Sequence, residues 1–218
     1  MSNCSEFIPA LFLLSCLLLA TSSRMLHLIR IVALQGILLG ILPLLLNPGF
    51  SHWQLAAVNL TVKGIILPLL LLRAMKRAAV KRELEPIAGY SVSAVLVFIF
   101  CGAGFFLASK LELPTPYGML IVATAFTTLL TGLFIVAARK KALTQVIGFL
   151  VFENGITLFG IGLMQHHSFL VELGILLDVF VLVFVMGIAV CQINREFSHI
   201  DADKLQTLDD LPETEVKK

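Results

Sequence analysis

Three ionisable residues each stand alone in a long apolar stretch of this sequence. Lys63 lies in "NLTVKGIILPLL", Glu153 in "TQVIGFLVFENGITLFGIG" and Asp178 in "GILLDVFVLV". On membrane-insertion scales, a charged residue at the centre of a spanning helix costs about 2.5–3.5 kcal/mol. Such a residue serves either an internal ion pair that helps helices pack or an ion path. Because three of them fall at one depth, we predict ion-translocation roles for all three, in a relay within the plane of the membrane.

Polar neighbours extend this candidate set. Asn59 lies one helical turn before Lys63, and Thr157 lies one turn after Glu153 on the same helical face. Pro68 follows Lys63 and lacks a backbone N–H, so it loosens the hydrogen bonding of the helix nearby. At the start of the last apolar run, Glu172 fits either a supporting role or a side chain that reaches the membrane surface. The supporting residues are therefore Asn59, Asn154, Thr157 and Glu172.

The composition is that of a membrane protein. Hydrophobic residues make up 58% of the chain and charged residues 14%, and the mean hydropathy is +0.97. Soluble domains carry about 25% charged residues. The basic residues cluster in short loops and form no basic face, so we exclude nucleic acid as a partner. The cysteines are isolated from one another, with no C-x-x-C pair, so we expect no metal and no cofactor in this chain. They are Cys4, Cys16, Cys101 and Cys191.

Seven apolar runs of the length needed to span a bilayer follow one another along the chain. Short segments rich in Pro, Gly, Asn or His separate them, for example "NPGFSH" and "LPTP". The first run resembles a cleaved signal segment in length, but no Lys or Arg precedes it, which favours a retained helix. The sequence predicts an all-α membrane bundle of about seven helices at 7–23, 25–46, 53–73, 87–109, 117–137, 143–164 and 169–193.

Loop charges predict the orientation of the bundle. Most basic residues fall in alternate loops, on one side of the predicted bundle: Arg24, the group at 73–82, the group at 139–141 and Arg195. The loops on the opposite side carry Lys110 alone. The positive-inside rule then places the N-terminus outside and the C-terminus in the cytoplasm. Residues 195–218 form an acidic cytoplasmic tail, either a solvated end or a docking segment.

Small residues and hydroxyls indicate where helices pack. Gly36 and Gly40 form a small-x-x-x-small pair in the second helix. Thr124, Thr128 and Thr131 run down one side of the fifth helix, as packing residues or as a hydrogen-bonded water path.

Several of these motifs together resemble the hydrogenase-4 component E family, membrane subunits of formate hydrogenlyase and related energy-converting hydrogenases. The resemblance rests on "TGLFIVAARKKALTQVIGFLVFENGITL", "LVELGILLDVFV", Gln35 and the "TVKGIILPL" segment, and covers residues 25–193. Helices 5 to 7 are more distantly similar to subunit K of respiratory complex I and to its counterpart in multisubunit Na⁺/H⁺ antiporters. The resemblance divides the chain into a four-helix region at 1–115, a subunit-K-like region at 116–194 and the tail at 195–218.

Subunit K carries a membrane carboxylate in a pattern resembling "IG-x-E-x-x-x-N". Ile147, Gly148 and Asn154 fit this pattern, but Leu150 takes the place of the acid, which appears three residues later as Glu153. Three residues are nearly one turn, so the carboxylate moves about 4.5 Å along the helix axis. Asp178 takes the place of a glutamate in the third helix of subunit K.

The resemblance implies a function. It predicts a subunit of an oxidoreductase complex, without a catalytic centre of its own, that contributes to H⁺ or Na⁺ translocation and to membrane-arm assembly in a prokaryotic cytoplasmic (inner) membrane. The implied partners are membrane subunits resembling those of complex I and antiporters, peripheral nickel–iron hydrogenase and iron–sulfur subunits, and the lipid bilayer. The alternatives are a subunit of a cation/proton antiporter without a redox arm and a carrier of small solutes, although two repeated halves expected of a carrier are not evident.

Overall fold

A computed structural model describes residues 2–46, 50–77, 89–111, 119–139 and 141–163. The elements in these ranges are all helical, which confirms the all-α class. Residues 169–193, with Glu172 and Asp178, and the tail at 195–218 lie outside the described residues. The elements are α1 (Ser2–Thr21), α2 (Met25–Leu46), α3 (Phe50–Thr61), a π-helical turn (Val62–Ile66), α4 (Leu67–Arg77), α5 (Tyr90–Lys110), α6 (Met119–Ala138) and α7 (Ala142–Gly162).

Four of the described helices are long and apolar enough to cross a bilayer: Met25–Leu45, Tyr90–Lys110, Met119–Ala138 and Ala142–Gly162. Helix α1 contains a shorter apolar stretch, Phe7–Thr21. Large apolar side chains are exposed on outer faces, such as Phe98 and Phe106 of α5, where a membrane would supply lipid tails as neighbours. The chain is therefore a helical membrane protein, while the total of seven spans remains a prediction.

The third predicted span is helical from end to end but not regular. Helix α3, the π-helical turn and α4 follow one another without a break from Phe50 to Arg77, somewhat longer than the expected 53–73. We call this segment the lysine helix because it carries Lys63. We call α7 the glutamate helix because it carries Glu153. Helix α2 packs against both of them, and α6 packs along the glutamate helix.

Two apolar clusters lie toward opposite ends of the bundle. The first joins the end of α1, the start of α2, α4, the end of α6 and the start of α7; the second joins the start of α1, the end of α2, the start of α6 and the end of α7. Successive spans are thus antiparallel, and the basic residues near the first cluster share one end of the bundle. They include Arg24, Arg73, Lys76, Arg139 and Lys141. That this end faces the cytoplasm remains a prediction.

Candidate functional site: a buried polar layer

A layer of polar side chains separates the two apolar clusters. In α1 it falls between Phe12 of the second cluster and Leu19 of the first, and in α2 between Val32 of the first and Leu38 of the second. Because four helices contribute at the same height, the layer lies across the bundle rather than along it. Its members, each at most 3% exposed, are Ser15, Gln35, Lys63, Glu153 and Asn154.

An ion pair occupies one side of this layer. Lys63 Nζ lies 3.0 Å from Glu153 Oε1, and both side chains are buried. Lys63 Nζ also donates a hydrogen bond to Thr157 Oγ1 at 2.8 Å, and Thr157 Oγ1 donates to the Glu153 carbonyl oxygen at 3.1 Å. The ammonium group therefore contacts two groups of the glutamate helix that lie one turn apart. This geometry brings together three of the sequence-derived candidates.

The backbone around Lys63 is π-helical. At the end of this turn the Leu67 N–H donates to the Val62 carbonyl, five residues back rather than four. Pro68 has no N–H to offer the Gly64 carbonyl, so regular α-helical bonding is interrupted at the next position. The sequence signal for this irregularity was the proline. The wider turn surrounds the residue that crosses to the glutamate helix.

Helix α2 presses directly against this turn. A Cβ placed on Gly36 would lie 2.5 Å from the Lys63 carbonyl carbon and 2.6 Å from its oxygen, closer than side-chain carbons come to backbone atoms. Gly40, one turn further, would meet Leu60 Cβ at 3.1 Å. Glycine at position 36 thus lets the α2 backbone support the Lys63 main chain. The small-residue pair predicted to pack helices does so against the lysine helix.

A chain of amide hydrogen bonds occupies the other side of the layer. Asn154 Nδ2 donates to Gln35 Oε1 at 3.1 Å, and Gln35 Nε2 donates to Ser15 Oγ at 2.7 Å. Ser15 Oγ in turn donates to the Phe12 carbonyl oxygen at 2.6 Å. The chain runs in one direction, from the glutamate helix through α2 to α1. It satisfies polar groups whose burial without partners would cost about 1–3 kcal/mol each.

The threonines of α6 serve packing. Each buried hydroxyl donates to the carbonyl oxygen one turn back: Thr124 to Leu120, Thr128 to Thr124 and Thr131 to Thr127. Their protons are engaged by their own helix, which favours packing over the water path considered from the sequence. Cys16 Sγ of α1 contacts Thr128 Oγ1 at 3.6 Å.

The remaining predicted residues divide into those near the layer and those outside the described residues. Asn59 is buried one turn before Lys63 and is 6% exposed. Asn154 belongs to the layer but faces Gln35, on the amide side. Asp178 and Glu172 lie outside the described residues, so their positions relative to Glu153 remain predictions. Ser15 was not anticipated, because a lone serine in an apolar helix resembles an ordinary packing residue.

Arg139 was predicted as one of three basic residues of a loop, and the structure shows it buried. Its side chain is 2% exposed, Nη2 donates to the Ala20 carbonyl oxygen at 2.8 Å, and the guanidinium lies 5.1 Å from the centre of the Tyr90 ring. The Ala20 carbonyl belongs to the last turn of α1, where backbone acceptors lack partners within the helix. Arg139 therefore joins α1 and α5 to the end of α6. Its neighbours Lys140 and Lys141 concealed this role in the sequence.

The charged part of the layer is a buried ion pair. Among the described residues, no group of three or more His, Cys, Asp or Glu side chains could hold a metal ion. A carboxylate and an ammonium in a poor dielectric neutralise each other, and neither is stable there alone. Protonation of Glu153 would remove the negative charge that Lys63 Nζ faces at 3.0 Å.

Most of the chain is similar in sequence to proteins already known. The chain is 33% identical over 188 residues to "Uncharacterized protein Rv0085" of Mycobacterium tuberculosis, an alignment that covers 84% of this chain and 85% of that protein. It is 26% identical over 147 residues to hydrogenase-4 component E of Escherichia coli, covering 67% of this chain and 68% of that protein. No protein-family model matches the sequence, and no solved structure matches it. The extent and identity of the mycobacterial alignment show that this chain belongs to the same protein family as Rv0085.

Proposed function

We propose that this chain is a non-redox membrane subunit of a hydrogenase complex of the hydrogenase-4 or formate hydrogenlyase type, and that it contributes to H⁺ or Na⁺ translocation. The observation that carries the proposal is the buried Lys63–Glu153 pair, 3.0 Å apart between two apolar clusters. The similarity to hydrogenase-4 component E supports membership of a multisubunit membrane complex. The redox chemistry would take place in partner subunits.

In this proposal Glu153 accepts or releases a proton, and Lys63 responds to the change in its charge. When Glu153 is ionised, Lys63 remains against it and against Thr157. When Glu153 becomes neutral, the charge attraction between its carboxyl group and the Lys63 ammonium is lost, and the ammonium is able to respond to another charge. As Glu153 alternates between its ionised and neutral forms, Lys63 responds to each change. The pair would thereby couple a charge on the glutamate-helix side of the bundle to a charge on the lysine-helix side.

Further parts of the proposal rest on residues and likenesses beyond the pair. Asp178 would continue the relay from Glu153, with Glu172, Asn59, Asn154 and Thr157 in support. The proposal also includes the seven spans, the division at 115/116 and the tail at 195–218. It includes as well the likeness of residues 116–194 to subunit K of complex I. An inner-membrane location and contacts with complex I-like, nickel–iron hydrogenase and iron–sulfur subunits belong to it too.

Copurification tests membership of such a complex. The full chain, tagged at its C-terminus and expressed from its own locus, would be solubilised in mild detergent and its partners identified by mass spectrometry. We expect a nickel–iron hydrogenase large subunit and iron–sulfur proteins in constant ratio to the chain. Antiporter subunits without any redox protein would instead establish the antiporter alternative, and recovery of the chain alone would contradict both.

A further inference from the structure

We infer that Gln35 is a positioning residue for the Lys63–Glu153 pair, acting through Asn154 with its orientation set by Ser15. This inference deepens the proposed function, on which it rests for its biological meaning. The observation behind it is that two consecutive residues of α2 contact the two helices that carry the pair. Gln35 bonds the glutamate helix, and Gly36 supports the Lys63 backbone.

The direction of the amide chain follows from the chemistry of Ser15. A serine hydroxyl has one proton, and Ser15 uses it on the Phe12 carbonyl oxygen at 2.6 Å. Toward Gln35 the hydroxyl is therefore able only to accept. Gln35 must turn its NH₂ group to Ser15, which directs its carbonyl oxygen toward Asn154. A terminal amide that is otherwise free to flip is thus held in one orientation.

Together with the close packing against α6, that orientation holds the rotation of the glutamate helix about its axis. Asn154 follows Glu153 directly, and successive residues of an α-helix point about 100° apart. A bond that holds Asn154 against Gln35 therefore directs Glu153 toward the neighbouring lysine helix. Gly36 contacts the Lys63 main chain at the same height of α2. The positions of Lys63 and Glu153 therefore both depend on two consecutive residues of α2.

The charged surroundings of Glu153 allow this effect to be measured. Helices α2, α4 and α6 pack against the glutamate helix. Among the described residues, Lys63 is the charged group placed against Glu153. On α2 and α4, His27, Arg30, Arg73 and Lys76 are exposed, and α6 presents threonine hydroxyls. Comparison with Lys63→Met shows how much of a change in the protonated fraction of Glu153, when Gln35 is altered, comes from its pairing with Lys63.

Carbodiimide labelling provides the test. Dicyclohexylcarbodiimide reacts with protonated carboxyl groups in apolar surroundings, and mass spectrometry would locate the label on Glu153 in membranes that hold the assembled complex, across a range of pH. Gln35→Met removes both hydrogen bonds and keeps the side-chain length. We expect roughly two- to tenfold more Glu153 label at neutral pH, since the net value of one hydrogen bond changes a protonation equilibrium by about that factor.

Three further variants make the result decisive. Lys63→Met should raise the label at least as much as Gln35→Met, and Ser15→Ala should raise it less. Thr124→Val, which removes a buried hydroxyl bonded only to its own helix, should leave it unchanged. An effect of Lys63→Met without any effect of Gln35→Met would overturn the inference, as would equal effects of Gln35→Met and Thr124→Val. Because labelling needs no ion transport, this outcome is distinguishable from failure of the proposed function, which transport by Glu153→Gln tests.

Discussion

The two helices that form the ion pair are built differently. The glutamate helix is regular from Ala142 to Gly162 and lies close along α6. The lysine helix changes from α to π and back at the residue that makes the contact. Both helices keep their charged residue buried in the same layer, so burial alone does not explain the difference.

Packing explains why the glutamate helix is the rigid partner. A Cβ on Gly132 of α6 would overlap the Phe152 backbone, and one on Gly155 would lie 2.7 Å from the Leu129 backbone nitrogen. Such close backbone contact at two points leaves the glutamate helix little freedom to slide or rotate. The lysine helix has a comparable close contact at Gly36, but its π-helical turn departs from regular α-helical hydrogen bonding. We infer from this difference that the ammonium is the more adjustable partner of the pair.

Removing the charge from one helix alone should have the largest effect. Lys63→Met leaves Glu153 buried without its ammonium, and we expect a loss of about 3–5 kcal/mol in the free energy of unfolding. The double variant Lys63→Met with Glu153→Leu should recover most of this loss, because an apolar pair requires no desolvation of charge. Equilibrium unfolding in detergent micelles measures both. Lys110→Met, at an exposed position, is the control, with an expected change under about 0.5 kcal/mol. A double variant as unstable as the single one would show that the pair is not the cause.

Adding a methyl group between α6 and the glutamate helix should have the second-largest effect on stability. Gly132→Ala places a methyl group on the Phe152 backbone, and we expect a loss of about 3 kcal/mol, the upper end for overpacking. Gly102→Ala is the matched control, since a Cβ there meets nothing within 4 Å. That substitution should stabilise its helix by about 0.5–1 kcal/mol. Equal effects of the two alanines on thermal unfolding would contradict the close α6–α7 contact.

Crowding the adjustable helix should cost less stability but more function. Gly36→Ala pushes on the Lys63 main chain, and the π-helical turn is able to move, so we expect a loss near 1 kcal/mol. The displaced lysine should weaken coupled ion transport even in fully assembled complex. Gly40→Ala should retain transport, because the added Cβ would lie 3.1 Å from its nearest neighbour, Leu60 Cβ. If Gly36→Ala proved as unstable as Gly132→Ala, the two helices would be equally rigid and the comparison would fail.

The smallest effect concerns the second acceptor of the ammonium group. Thr157→Val removes the hydroxyl that lies 2.8 Å from Lys63 Nζ while keeping the shape of the side chain. We expect a loss of about 0.5–1.5 kcal/mol in the free energy of unfolding. Thr157→Ser, which keeps the hydroxyl, should lose less, and the order of the two variants in a thermal-unfolding series checks the assignment.

The sequence indicated the helices and the charged residues because both leave local signals. A long apolar run predicts a spanning helix, and a lysine or a carboxylate inside one is conspicuous; the second span was expected at 25–46 and is observed at Met25–Leu46. The pairing of Lys63 with Glu153, 90 positions later, has no local signal, and the sequence left its partner open. Gln35 was noted only through a resemblance, and Ser15 was not noted, since their roles depend on neighbours from other helices.

Arg139 is another residue whose role depends on contacts between helices and was not evident from the sequence. Next to two lysines it resembled a surface cation, and its burial depends on where α1 ends and α5 begins. Pro68 was informative because its missing N–H acts within its own helix. Signals confined to one helix were therefore recoverable from the sequence, and contacts between helices were not.

Ion transport by the Glu153→Gln variant shows whether Glu153 takes part in translocation. Glutamine keeps the size of the side chain and a carbonyl acceptor for Lys63, but it carries no charge and takes up no proton. In membranes that hold the assembled complex, ion movement would be measured together with hydrogenase turnover and compared with Thr124→Val. We expect turnover to continue while ion movement per turnover falls well below that of the control. Ion movement equal to the control, with the variant fully assembled, would contradict a role for Glu153 in translocation and leave the pair as a packing element.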